Sequence, residues 1–552
     1  MKGYKSRFGV GTLSLALGKL YEDPMVIYRE YIQNACDGIE LAIKEGKLKS
    51  NEAVISIQIE RDEISIKDRG IGVKTTEIGP RLVDPGNSDK YKDNLIGQYG
   101  IGRLIAAQYC EKIVFETSSP GENQKSILTW DTAKAFEMIN SKEYEDGTEI
   151  IDKVTSVVFE NEAEDEHYFR VKLCGIKRRI DSLVNLQKVK EYVSMMAPVD
   201  YTMEFKEGYL YPALEENPEF KSLYEKERIY KVIINDEDIR KPYKIDLAEK
   251  ETELMTPFFT KFEDPDDGLL GWGWYAINKK VIQMNNVPFR GIRFRKLNTA
   301  VGNSNVMANY MKNVSINYFV GEMFLSHEGI QPTGSRDGFV DSQEKADFDY
   351  IMSDKANDLY SLYDSASHMG SGAIDKLTNA HTKIEELKGN LANETDEREI
   401  KQIKKQITEQ KKILADKAKE FEAYKKELSE IPGGEKVVDA VLEGRQEKLD
   451  SKIHKKKKSN SVSNNVDIKK IIKEQITKAN KSNDKSESES DDSENSKNSE
   501  EPQDPKASFM SKLSREQKKF YEKVCKVIDN EPSLTPSIIE SLKMKILKKI
   551  AR

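Results

Sequence analysis

The chain has 552 residues, a net charge of −7 and 33% charged against 37% hydrophobic side chains, which is polar for one globule and predicts about three to four domains. The acidic balance gives no support to general nucleic-acid binding, although it does not forbid it. The cysteines (Cys36, Cys110, Cys174, Cys525) and histidines are scattered, so the expectation is a reducing, cytoplasmic setting without structural zinc. No apolar run approaches the ~20 residues of a membrane span, and no leader peptide is expected from Met1-Lys2-Gly3-Tyr4-Lys5.

Taken in chain order, the first strong element is Arg29-Glu30-Tyr31-Ile32-Gln33-Asn34-Ala35-Cys36-Asp37. It reads as a helix on which Glu30, Asn34 and Asp37 share one face while Ile27, Tyr31, Ile32, Ala35 and Ile39 bury the rest. A carboxylate–amide–carboxylate stripe suits a hydrated divalent cation; a solvated polar face is the alternative. Residues 53–59 and 63–67 alternate apolar and polar around an Arg61-Asp62 turn, predicting a hairpin whose second strand ends at Asp68. Gly70 and Gly72 follow and permit close backbone approach to a flat ligand, with an ordinary Asp-Gly turn as the alternative. Ile96-Gly97-Gln98-Tyr99-Gly100-Ile101-Gly102 then runs into apolar Leu104-Ile105-Ala106-Ala107, as a phosphate-cradling loop would. It is neither a P-loop nor a dinucleotide fingerprint.

The ordered set resembles the GHKL superfamily, named for gyrase, HtpG-type heat-shock chaperones, histidine kinases and MutL, and looks most like the stand-alone bacterial, chaperone-like branch. The resemblance implies an α+β fold: a Bergerat-type ATP-binding α/β sandwich over 1–160 and an S5-like α/β middle domain over 165–345. It implies ATP and Mg²⁺ as ligands and ATP hydrolysis as the activity. Residue by residue, it makes Glu30 the general base, Asn34 the metal ligand, Asp37 a neighbour of the nucleotide, and Asp68 the adenine-recognising carboxylate, with Gly70 and Gly72 beside it. Thr148, in Asp146-Gly147-Thr148-Glu149-Ile150, would be the strand threonine near the adenine. Gly97, Gln98, Tyr99, Gly100, Ile101 and Gly102 would hold phosphates, under a lid over about 80–96 whose Lys90 reaches them.

In the middle of the chain, Tyr209-Leu210-Tyr211, residues 229–234 and residues 271–277 read as strands. Arg293 and Arg295 alternate with apolar residues, so they read as a solvent-facing basic strand, or as a client or nucleic-acid contact. Gln331-Pro332-Thr333-Gly334-Ser335-Arg336-Asp337 resembles the loop by which the chaperone branch returns an arginine, here Arg336, to the γ-phosphate; a structural ion pair is the alternative.

After a helical connector over 346–373, two apolar seams predict a coiled-coil hairpin over 374–431, capped by Thr395 or Asp396 and ended by Pro432-Gly433-Gly434. Residues 432–508 read as a disordered charged linker and 509–552 as a small helical docking module. The combined expectation is an ATP-driven, chaperone-like homodimer acting on protein clients. The alternatives are a MutL- or MORC-like DNA-associated clamp and a nucleotide-timed scaffold in a prokaryotic defence or genome-maintenance system.

Overall fold

A computed structural model describes residues 8–19, 23–84, 102–176, 180–247, 252–303, 306–311, 313–457 and 467–483, with Tyr521, Val524, Cys525, Lys543 and Ile546 beyond them. Lys90, Gly97, Gln98, Tyr99, Gly100, Ile101 and most of the expected lid lie outside the described residues, as does nearly all of the expected module over 509–552.

The first sheet has eight strands: β1 (Val54–Ile59), β2 (Glu63–Asp68), β3 (Lys112–Ser118), β4 (Gln124–Asp131), β5 (Thr155–Asn161), β6 (Tyr168–Cys174), β7 (Lys231–Ile234) and β8 (Glu237–Ile239). Their spatial order is β5-β4-β3-β6-β2-β1-β7-β8. Every pair is antiparallel except β1 with β7. The predicted hairpin is present, with Ile59 opposite Ile64 and Ile55 opposite Asp68. Alternation does the rest: Ile55, Ile57, Ile64 and Ile66 turn inward to meet Ile27, Ile32, Ala35 and Ile39 of the Val26–Lys44 helix. The core runs on through Val232, Ile234 and Ile239. The expected boundary near 160–165 therefore falls inside this sheet, which takes β6, β7 and β8 from what was read as the middle domain. Pairing decides membership, and β7 is recruited across a long excursion because its Val232 and Ile234 complete the apolar face beside β1.

After a two-stranded ribbon of β9 (Asp246–Leu247) and β10 (Thr252–Glu253), a second sheet is built from β11 (Phe258–Asp264), β12 (Gly268–Ile277), β13 (Gly291–Lys296), β14 (Thr299–Val301) and β15 (Phe319–Leu325). The order is β11-β12-β15-β13-β14, with β13 and β15 parallel. Both faces are covered. Trp272, Trp274 and Ala276 pack on Tyr201, Phe205, Tyr209 and Tyr243, while Ile277, Ile292 and Phe294 pack on the long helix Gln343–Ser367 and its successors. Tyr209-Leu210-Tyr211, read as a strand, is helical turn (Lys206–Leu210 leading into Tyr211–Glu215). A short apolar run satisfies either period, and here the aromatic rings are used as a helical cover for the tryptophans.

The predicted hairpin forms from Asp375–Asn393 and Glu397–Ser429, with Asp396 accepting from the Arg398 and Glu399 amides as the cap. Leu377, Ile384 and Leu387 face Leu414, Phe421 and Leu428 inside the same apolar cluster or at its margin. The expected disorder from 432 onward is corrected: Gly434–Lys457 and Ile468–Asn483 are helices. Val437, Val438, Val441, Ile468, Ile471 and Ile472 bury themselves against the hairpin core, enough to hold a chain whose composition is otherwise that of a linker. Farther on, Tyr521 is buried and its hydroxyl donates to the Lys543 carbonyl.

Candidate functional site

The site lies where the Val26–Lys44 helix crosses the end of β2. Burial separates the two faces of the helix. Ile27, Tyr31, Ile32 and Ile39 are fully buried, whereas Glu30 and Asn34, one turn apart, are only half-buried. Asp37, a turn further, is buried at 1% exposure, and Asp68 at the end of β2 at 4%. Burial pushes the Cys36 thiol well above its ordinary value, and the nearby Asp37 and Asp68 carboxylates push it further. Cys36 is accordingly an inert part of the packing.

Glycines let these parts approach. The Asp68 carboxylate accepts a hydrogen bond from the Gly70 amide at 2.7 Å, and Ile71 N–H donates to the Gly38 carbonyl at 2.9 Å. A β-carbon on Gly70 would stand 2.5 Å from the Gly38 carbonyl carbon and 2.6 Å from the Asp68 carboxylate. Gly72 has φ +69°, and a β-carbon there would meet the Ser118 carbonyl at 1.9 Å. Nearer the N-terminal end of the helix, a β-carbon on Gly102 would meet the Glu30 carboxylate at 2.7 Å. Tyr31 ties the same segment down by donating to the Arg103 carbonyl at 2.9 Å. The fold thus brings together Glu30, Asn34, Asp37, Asp68, Gly70, Gly72 and Gly102 from three separate stretches of sequence.

Thr148 does not join them. It is exposed on the helix Gly147–Val154, whose N-terminus Asp146 caps by accepting from the Thr148 amide at 2.9 Å. Aspartate followed by glycine and threonine makes a good helix start, which is what the segment became. The strand beside Asp68 is instead β6, where Phe169 is the register partner of Asp68. Two residues missed by motif reading lie nearby, His167 just before β6 and Thr117 on β3. His167 Nδ1 lies 2.9 Å from the Gly70 carbonyl, and Thr117 accepts from the Val73 amide at 2.9 Å while donating to the Tyr168 carbonyl. They pin the Asp68–Gly72 loop, and nothing in local sequence marks them.

A further residue comes from the motif itself. Arg29, 6% exposed, donates to the Glu30 carboxylate at 3.3 Å and to the Ser335 carbonyl at 2.7 Å. The loop carrying Arg336 is thereby joined through one side chain to Glu30. Arg336 itself is 5% exposed at φ +55°, its carbonyl accepting from Gly302 and its amide donating to Thr333. A left-handed arginine costs on the order of 1 kcal/mol and is kept only where the surroundings hold it. Burial pushes the Tyr192 phenol up, with Arg29 opposing and Glu30 and Asp337 adding, so both carboxylates lie within electrostatic reach of one ring.

Arg293 and Arg295 overturn both readings given to them. Arg295 is fully buried: it donates to Glu322, to the Asn298 carbonyl at 2.8 Å and to the Met195 carbonyl at 2.8 Å. Arg293 donates to the Phe289 and Arg290 carbonyls. Lys241, at 1% exposure, completes the cluster at 2.7 Å from Glu322, and Tyr201 and Tyr243 donate to the same carboxylate. Burial alone would raise the Glu322 carboxyl, but Arg295 and Lys241 outweigh it and hold it at about 2. Burial and Arg295 together push the Lys241 ammonium down to about 8 against the pull of Glu322. This cluster locks the second sheet to the C-terminus of the Leu186–Met196 helix; it is not a contact surface for a partner.

The donor set at the first site fits a hard cation with a nucleotide. Half-buried carboxylate and amide oxygens on one helix face suit Mg²⁺, and the backbone is kept bare by glycine where a flat ring or a phosphate needs close approach. Among the described residues no cluster of three or more histidine, cysteine or acidic side chains is placed to hold a metal ion by itself.

Residues 29–161 match the family described as histidine kinase-, DNA gyrase B- and HSP90-like ATPases. That stretch is a GHKL-superfamily domain. Relatives include the chaperone protein HtpG of Wigglesworthia glossinidia brevipalpis, 26% identical over 241 residues, covering 39% of this chain and 36% of that protein. HtpG of Helicobacter pylori (strain J99) is 30% identical over 216 residues, covering 36% and 32%. HtpG of Buchnera aphidicola is 31% identical over 160 residues, covering 25% and 26%. The chain thus spans about a third or less of the length of the curated relatives it matches. Among the described residues, no helix is long and apolar enough to cross a membrane.

Proposed function

We propose that the protein binds and hydrolyses ATP with Mg²⁺ and uses the cycle to change its own conformation, acting as a chaperone-like ATPase on protein clients. The observation that carries the reading is the close approach of the helix bearing Glu30 and Asn34 to the Asp68–Gly70 turn at the Gly38–Gly70 contact, in a stretch that matches the GHKL superfamily. Asp68 accepts from the adenine amino group, with Asp37 beside the nucleotide. Gly97, Gly100 and Gly102 offer backbone amides to the phosphates, with Lys90 from the lid. Asn34 holds Mg²⁺, which when bound neutralises charge across the phosphates. Glu30 takes the proton of a water as its oxygen bonds to the γ-phosphorus and the bond to the β–γ bridging oxygen breaks, giving ADP and phosphate.

The contact from Arg29 to Ser335 supports a second element: Arg336 is delivered by the middle domain to the transferring phosphoryl group, so that hydrolysis reports on the placement of that domain. With ATP bound, the protein works as a homodimer, as such ATPases commonly do. The HtpG relatives support protein clients over DNA as the load, and the net charge of −7 points the same way.

The test is a pair of variants. Glu30→Ala retains ATP binding by calorimetry while turnover falls at least about 100-fold, the loss expected of a general base. Asp68→Asn loses binding itself. Turnover surviving in Glu30→Ala removes that residue from the base role. Turnover raised by duplex DNA and not by unfolded protein replaces the chaperone reading with the clamp.

A further inference from the structure

The first sheet ends in two edges of opposite character. At one end, β8 is three residues long and carries Glu237 and Asp238, the short, charged edge by which proteins prevent strand addition. At the other, β5 runs seven residues in register with β4, from Gln124 opposite Asn161 to Trp130 opposite Thr155, without a bulge. Its outer side has no partner strand among the described residues. It contains no lysine and no proline, and its one charge is Glu160. Val157, Val158 and Phe159 are 38%, 54% and 51% exposed, three consecutive members of the nine exposed large hydrophobics among the described residues. An edge of this kind is a template for pairing.

We infer that β5 is a self-association edge, pairing antiparallel with β5 of a second copy so that the two sheets become continuous. The register follows from symmetry. A two-fold axis normal to the sheet keeps every side chain on its own face, so one residue must stand opposite itself. Centred on Val158, the pairing sets Val158 against Val158 and Val157 against Phe159 twice, and Ser156 meets Glu160. All three apolar residues then face apolar residues. Centred on Phe159, Val158 would meet Glu160; centred on Glu160, two carboxylates would collide; centred on Val157, Phe159 would meet Thr155. Charge agrees with the Val158 register. The acidic run Glu160, Glu162, Glu164, Asp165 and Glu166 of one copy is carried away from its own counterpart and toward the end of the other strand, where Lys153, 2.8 Å from Glu149, keeps 47% of its side chain exposed. Edge pairing of one strand buries less than a standard interface, so the dimer is weak, with a dissociation constant on the order of 10–100 μM. It requires no nucleotide and does not depend on the ATPase reading.

The test uses the full chain without nucleotide. Sedimentation equilibrium over about 1–200 μM is expected to show monomer passing to dimer. Val158→Lys, which sets two ammonium groups opposite each other, is expected to weaken association at least about tenfold with unchanged thermal unfolding at low concentration. Under mild oxidation Val158→Cys is expected to form a disulfide-linked dimer, and Ser156→Cys, whose counterpart lies four residues along, to stay at the background of the four native cysteines. A chain that stays monomeric throughout overturns the inference. So does equal cross-linking of the two cysteine variants, which would mean collision without register, or an edge that takes up an added extended peptide while failing to pair with itself.

Discussion

Two carboxylates, Glu30 on the helix that packs on the first sheet and Glu322 within the second, stand in opposite conditions. Glu30 sits half-buried on a helix face with glycine backbone beside it, whereas Glu322 is sealed in the second sheet with two cations and two phenols upon it. A buried charge satisfied from every side holds structure; a charge left partly open, against backbone stripped to glycine, is available to a ligand. The same contrast separates the arginines. Arg295 spends its donors on Glu322 and main-chain carbonyls of its surroundings, while Arg29 links Glu30 to the loop that follows β15.

The contrast breaks if the two carboxylates respond alike to removal. Glu322→Ala strands Lys241 and Arg295 in the interior and is expected to cost about 3–5 kcal/mol in urea unfolding. Glu30→Ala, the variant expected to stop turnover, is expected to change unfolding free energy by less than about 1 kcal/mol, since it leaves behind only the guanidinium of Arg29, which keeps the Ser335 carbonyl as acceptor. Arg336→Ala sharpens the comparison between the two domains' arginines. It is expected to lower turnover about 10-fold or more with ATP affinity little changed, read by comparing kcat with calorimetric binding. The smallest effect is a pH slope. Burial pushes the Glu227 carboxyl up to about 7, with the Trp272 indole N–H opposing at 3.1 Å. Between the unfolded value of about 4.5 and 7, the folded chain therefore binds more protons than the unfolded one, and stability falls as pH rises. Glu227→Gln, whose amide oxygen still accepts from Trp272, is expected to flatten that slope by on the order of 1 kcal/mol in unfolding measured at pH 5 and 7.5.

What the sequence disclosed and withheld divides along the same line. The placement of Glu30 and Asn34 on one helix, Asp68 at a strand end and Gly70 and Gly72 in the turn after it was legible because each belongs to a local pattern. Thr148 was misplaced because the neighbour of Asp68 is chosen by strand pairing, and β6 lies a hundred residues away in the chain with no motif to announce it. Arg295 looked solvent-facing because its partner Glu322 is named only by the parallel pairing of β13 with β15. The helices Gly434–Lys457 and Ile468–Asn483 were hidden by composition, since a few valines and isoleucines at helical spacing outweigh many lysines once a core exists to receive them. His167 and Thr117, which hold the Gly70 carbonyl and the Val73 amide, were invisible for want of any local signature.

Strand β6 has a consequence for any attempt to isolate the nucleotide-binding unit. It stands between β3 and β2 in the sheet, although it follows both in the chain. A fragment cut at residue 161, where the family match ends, would keep β1 with β2 and β3 with β4 and β5 yet lose the strand that joins them. Two half-sheets would remain, each with a raw inner edge. The smallest piece that keeps the sheet whole therefore extends to Ile239, well past the stretch in which the three motifs lie.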